Sequence, residues 1–83
     1  MMTKITVIKK TVRYNNKLFK LTYYLLLKDD FHYGIRVDCC DGNTIETEHL
    51  WTGQNRQATL SLLYRFAKET VFPIALKETF ENI

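Results

Sequence analysis

In residues 17–28, KLFKLTYYLLLK, every odd position from Phe19 to Leu27 is apolar. In residues 31–40, FHYGIRVDCC, the same holds for Phe31, Tyr33, Ile35, Val37 and Cys39. Side chains alternate between the two faces of a strand, so this period of two describes neighbouring strands that each bury one face. A slip of one residue would send either set into water, and the register must therefore pair odd with odd.

A three-residue KDD loop at 28–30 satisfies that condition. It predicts Leu27 opposite Phe31, Leu25 opposite Tyr33, Tyr23 opposite Ile35, Leu21 opposite Val37 and Phe19 opposite Cys39. For the next hairpin, a two-residue Asp41-Gly42 turn would put Val37 opposite Glu46 on the core face, whereas a three-residue DGN loop puts Cys39 opposite Ile45 and Val37 opposite Thr47. The longer loop is the better choice. With these registers Lys20 falls opposite Asp38, Arg36 opposite Glu48 and Tyr24 opposite Gly34 on the outer face. A two-residue Asn15-Asn16 turn sets Val12 opposite Phe19 and Ile8 opposite Tyr23, with Ile5 meeting Leu26 and Val7 meeting Tyr24 on the outer side.

Strands are thus predicted at 3–14, 17–28, 31–40 and 44–51. From 55 to 70 the period changes: Leu60, Leu63, Tyr64, Ala67 and Val71, flanked by Ala58, Leu62 and Phe66, form a broad apolar face at helical spacing. Thr52 or Asn55 supplies the N-cap. Phe72 precedes Pro73 and is pushed toward an extended shape, which ends this helix and opens a shorter one over 73–82 carrying Leu76, Phe80 and Ile83. The fold class is α+β: a four-stranded antiparallel β-meander covered on one face by a C-terminal helix and a second short helix. All 83 residues form a single domain, 1–83, with no repeat or linker.

The longest apolar run, LTYYLLL, is far below the ~18 residues of a membrane-spanning helix, and the first residues hold no apolar signal-peptide core. No membrane role is expected, and the location is read as cytoplasmic. Cys39 and Cys40 are adjacent and cannot close a useful disulfide loop, which fits a reducing compartment.

Alternation sends Cys39 toward the helices and Cys40 to the outer face. His32 is expected outside and His49 on the core side. No CxxC or HxxxH spacing is present, so no metal site is expected, and His32 lies too far along the strand from Cys40 to activate it. There is no Gly-rich phosphate loop and no serine on a sharp strand-to-helix turn. Asp29, Asp30, Asp38 and Asp41 read as turn residues. The chain is expected to be no enzyme and to carry no cofactor.

Two binding functions remain. Ile5, Val7, Tyr24 and Leu26 would form an apolar patch on the outer face, the candidate interface of a non-enzymatic protein-interaction module that self-associates as a homodimer or takes another protein. The alternative starts from charge. Residues 1–28 hold Lys4, Lys9, Lys10, Arg13, Lys17, Lys20 and Lys28 and no acid, so the net +3 of the chain conceals a basic first part and an acidic remainder. Lys9, Arg13 and Lys20 share the outer face with Tyr24, and Lys17 lies at the turn. Basic residues around an aromatic can hold phosphates and stack a base, making these four the candidate nucleic-acid contacts.

At YGIRV (33–37), DGNTIETE (41–48) and VFPIALKETFENI (71–83), the sequence resembles a group of short Gram-positive bacterial proteins known only as a domain of unknown function. The resemblance spans roughly 23–83. It implies a cytosolic bacterial protein and brings no activity, substrate or site residue with it.

Overall fold

The computed structural model describes residues 2–29 and 31–83. Four strands, β1 (Met2–Tyr14), β2 (Lys17–Lys28), β3 (His32–Cys40) and β4 (Ile45–Gly53), pair antiparallel in the order of the chain. Helix α1 (Arg56–Lys68), a 3-10 turn (Pro73–Ala75) and α2 (Leu76–Glu81) follow. The α+β meander with two C-terminal helices is as the periodicity requires. The helical segment packs on one side only, α1 against β2 and β3 and α2 against β4. The Cα envelope measures 40 × 27 × 17 Å, and its thin dimension is that of one sheet plus one helix layer.

The core lies between those layers. Leu21, Tyr23, Leu25, Ile35, Val37 and Cys39 from the sheet meet Leu63, Phe66, Ala67, Val71 and Leu76 from the helical part. The odd positions of β2 and β3 do face the helices. Asn55 caps α1, its side-chain oxygen accepting from the Ala58 N–H at 2.9 Å. Tyr64 was expected on the apolar face but is exposed, and Thr59 is buried instead. Thr59 can be buried because its hydroxyl donates to the Asn55 carbonyl at 2.9 Å and meets the Thr52 hydroxyl at 2.5 Å.

The first hairpin turns at Asn15 and Asn16, with φ of 50° and 64°, the left-handed pair a two-residue hairpin demands. Val12 stands opposite Phe19 and Ile8 opposite Tyr23, as expected. Beyond Ile8 a bulge inserts Val7 as an extra residue. Every earlier residue of β1 therefore changes face. Thr6 meets Tyr24, Ile5 meets Leu25 and Lys4 meets Leu26.

The other two registers also differ from expectation. Between β2 and β3 the loop closes at Lys28 and His32, so Leu27 faces Tyr33, Tyr23 faces Val37 and Leu21 faces Cys39. The pairing is shifted by two residues. Asp29 enters the left-handed region (φ 54°), and Phe31 belongs to the turn, where it is exposed and rests on the His32 ring at 5.1 Å. Parity survives, so the core face is unchanged, but Tyr24 now stands opposite Arg36, Leu26 opposite Gly34 and Thr22 opposite Asp38.

Between β3 and β4 the first pair is Cys40 with Ile45, which leaves residues 41–44 as the loop. The Asp41 carboxylate organises it by accepting the Asn43 and Thr44 N–H groups, each at 2.9 Å. One extra loop residue reverses the faces of β4. Leu50 enters the core, while Ile45, Thr47, His49 and Trp51 turn outward; Arg36 pairs with His49 and not with Glu48. Glu48 instead faces the helices and accepts an ion pair from Lys77 of α2 at 3.6 Å.

Candidate functional site

The three registers together define the side of the sheet that no helix covers. Paired residues point the same way, so β1 contributes Lys4, Thr6, Lys9, Thr11 and Arg13, and β2 contributes Lys20, Thr22, Tyr24, Leu26 and Lys28. From β3 come His32, Gly34, Arg36, Asp38 and Cys40, and from β4 Ile45, Thr47, His49 and Trp51. Lys4, Lys9, Arg13, Lys20, Lys28 and Arg36 thus share this face with a single strand carboxylate, Asp38. That carboxylate is already engaged. It accepts from Arg36 Nε at 2.8 Å, from Arg36 Nη2 at 3.2 Å and from the Thr47 hydroxyl at 3.0 Å. The hydrogen bond to Asp38 holds the Arg36 guanidinium above its ordinary pKa.

Two aromatic rings stand among these charges. The Tyr24 ring lies between Lys4, whose Nζ is 4.6 Å from its centroid, and Arg36, whose Cζ is 5.6 Å away. Lys28 Nζ lies 5.9 Å from the Trp51 ring. Such contacts hold a cation over a π-face and are weak where solvent reaches them, about 0.5–1 kcal/mol. Tyr24 and Trp51 are two strands and two residues apart, roughly 12 Å along a diagonal of the sheet, so they are separate stacking places.

Toward the other end of β1 and β2, Lys9 stands opposite Thr22 and Thr11 opposite Lys20. These residues line a shallow depression of about 310 Å³. The alternation brings two ammonium groups and two hydroxyls to one small area, the donors that a phosphate oxygen accepts from.

Of the residues singled out for nucleic acid, Lys9, Arg13 and Lys20 do share the open face with Tyr24, and Lys17 adjoins the turn at one end of it. Lys4, Lys28 and Arg36 belong to the same surface. The period of two already puts Lys28 and Arg36 on this face, since parity survives the shift, whereas Lys4 reaches it only through the bulge, which that period does not register. Trp51 reaches this face through the reversal of β4.

The residues of the expected apolar patch are not gathered. Ile5 lies opposite Leu25 on the helix-bearing side, and Val7, at the bulge, packs against the core. Leu26 is on the open face but only 1 % exposed. Only Tyr24 remains as a partly exposed member of that set on the uncovered side.

Cys39 is buried toward the helices and Cys40 lies on the open face, both as free thiols. Burial, followed by the charges of Glu46 and Asp41, pushes the Cys39 thiol up from its ordinary range. His49 joins His32 on the open face, contrary to expectation, because of the β4 reversal. Among the described residues no cluster of His, Cys, Asp and Glu is arranged to hold a metal ion. Among them too, no helix is long and apolar enough to cross a membrane.

No curated protein and no solved structure matches the chain. A family model does match, over residues 2–83, and so takes in all four strands and both helices. The chain belongs to this family of unknown function, DUF6514.

Proposed function

We propose that this protein binds single-stranded nucleic acid across the uncovered face of its sheet. The observation that carries the reading is the segregation on one open face of Lys4, Lys9, Arg13, Lys20, Lys28 and Arg36 around Tyr24 and Trp51, with Asp38 the lone strand carboxylate and already paired. Backbone phosphates sit along β1 and β2, where Lys9 and Lys20 alternate with Thr11 and Thr22. Bases stack on Tyr24 and Trp51. A base taking the face of either ring displaces the cation resting there, and that cation turns to the neighbouring phosphate. A flat, separated pair of stacking places suits unpaired bases, because the bases of a duplex are already stacked on one another. Sequence preference is expected to be slight, since stacking accepts every base. Two free cysteines fit a cytoplasmic location for this role.

Self-association through Ile5, Val7, Tyr24 and Leu26 has less support, because the bulge and the cover over Leu26 leave no common apolar surface there.

Trp51 is the single tryptophan of the chain, so its fluorescence reports the site directly. Titration with a short single-stranded oligonucleotide at low salt is expected to quench it saturably. The logarithm of the association constant should fall with the logarithm of salt with a slope of roughly −3, as about four released counterions give for single strands. Trp51→Ala with Tyr24→Ala should lower the affinity by about tenfold or more, measured by anisotropy of a labelled oligonucleotide. No binding at low salt, or binding to duplex DNA as tight as to single strands and indifferent to the aromatic pair, would overturn the proposal.

A further inference from the structure

On the helix-bearing side, the helical layer stops short of one end of the sheet. There, between the tip of the β1–β2 hairpin and the 3-10 turn, lies a cavity of about 410 Å³, at the smaller end of the range in which proteins hold small ligands. Its walls are apolar: Phe19 meets Phe72 edge to face with centroids 5.6 Å apart, and Ile74, on the 3-10 turn, is 88 % exposed beside them. This isoleucine protrudes from the turn beside two packed aromatic rings and leaves most of its surface open to a ligand. The thiol of Cys39 is part of the lining.

The charged groups at this cavity are of one sign, beside the hydroxyl-bearing Tyr14 and Thr44. Asp41 and Glu46 line it, and no cation does. Asp41 uses Oδ1 to accept the loop N–H groups, and those hydrogen bonds keep its carboxyl below the ordinary range and ionised. Glu46 stands directly opposite Cys39 and makes no ion pair among the described residues. Burial first, then the charges of Glu46 and Asp41, push the Cys39 thiol up. The positive charge of Lys17 acts on Asp41, and no ion pair joins the two among the described residues.

We propose that this cavity binds a small apolar cation, an aromatic or aliphatic body of one or two rings carrying a single ammonium group. The body lies against Phe19, Phe72 and Ile74, and the ammonium is held at the mouth by Asp41 and Glu46. Charge complementarity selects the ligand: the carboxylates repel an anion, and a neutral body gains only the apolar contact. The site lies on the opposite side of the sheet from the basic face and does not rest on nucleic-acid binding.

The test uses the full chain, labelled with 15N, and three probes of one shape: 1-naphthylmethylammonium, the neutral 1-naphthylmethanol and the anionic 1-naphthylacetate. The cation is expected to shift the amide signals of Phe19, Cys39 and Phe72 saturably at submillimolar to millimolar concentration. The alcohol should bind about fivefold more weakly, the advantage of one exposed ion pair, and the anion more weakly still. Glu46→Gln should remove most of the difference between amine and alcohol without altering the fold, since Glu46 is exposed. Ile74→Ala, at another exposed position, should weaken both probes. Equal binding of all three probes, shifts confined to the basic face, or no saturation at millimolar cation would each overturn the proposal.

Discussion

Lys9 and Lys10 are neighbours in sequence and stand on opposite sides of the sheet. Lys9 faces the open side opposite Thr22, whereas Lys10 passes under the helical layer and donates to the Ala67 carbonyl at 2.9 Å and the Thr70 hydroxyl at 2.7 Å. Those acceptors lie at the end of α1, where the Ala67 carbonyl also accepts the Thr70 N–H at 3.2 Å and a positive charge is favoured. The two lysines should therefore fail in different ways. Lys10→Met is expected to lower stability by about 1–2 kcal/mol in urea unfolding and to leave oligonucleotide affinity unchanged. Lys9→Gln should leave the urea midpoint in place and make the salt dependence of binding shallower by about 0.7 in slope. If the two variants behaved alike, the division of labour between the faces would be wrong.

Gly34 is required by close approach. A Cβ built there would come within 2.5 Å of the Leu50 carbonyl oxygen and 2.8 Å of the Trp51 ring. The first of these is backbone and cannot swing aside. Gly34→Ala is expected to cost about 1–3 kcal/mol, the range for forcing extra volume into a packed site. It should also lift the Trp51 ring toward water, seen as a red shift of its emission. A stability within a few tenths of a kcal/mol of the parent, with unchanged emission, would show that the strand pair yields more easily than this packing implies.

The face-to-core logic of β2 and β3 was legible because a period of two is the strongest signal a half-buried strand carries. The same period is blind to a shift of two, and so Tyr24 was paired with Gly34 in place of Arg36. The β4 reversal follows from one added loop residue, which the Asp41 carboxylate stabilises through its own hydrogen bonds, and loop length is poorly specified by a DGN motif. The bulge at Val7 has no glycine to announce it, and it alone decides that Lys4 and not Ile5 reaches the open face. The basic and aromatic composition of the site could be read from the chain; its assembly depended on three local irregularities.

Acid should loosen the β3–β4 connection first. Backbone hydrogen bonds from Thr44 and Asn43 lower the Asp41 pKa below its ordinary 3.8, and the His49 N–H, accepted at 3.0 Å, lowers that of Glu48 below 4.5. Both groups have a depressed pKa in the folded state. Their contribution is therefore complete above the ordinary values and is lost as pH falls through the folded ones. The thermal midpoint is expected to hold steady from pH 7 to about 5 and to drop below about 4.5. Asp41→Ala should lower the midpoint at neutral pH and flatten the acid limb; an acid limb identical to that of the parent would remove Asp41 as its source.

Tyr23 sets the corresponding alkaline limit. Its ring is fully buried, and its hydroxyl donates to the Val71 carbonyl at 3.0 Å, tying the centre of the sheet to the segment that follows α1. Burial, with a smaller push from Cys39, raises its pKa from 10.0 to about 12. For an acid that is neutral when protonated, a raised pKa means that the folded state favours the protonated form. That stabilisation is complete below pH 10 and is lost as pH climbs from 10 toward 12. The difference in phenolate absorbance between the parent and Tyr23→Phe should therefore show one group ionising near 12, or together with alkaline unfolding if that comes first. The same variant leaves the Val71 carbonyl without its donor in a buried setting and should cost about 1–2 kcal/mol at pH 7. A Tyr23 that ionised near 10 in the folded protein would mean that water reaches its hydroxyl, and the tie between β2 and Val71 would then not hold in solution.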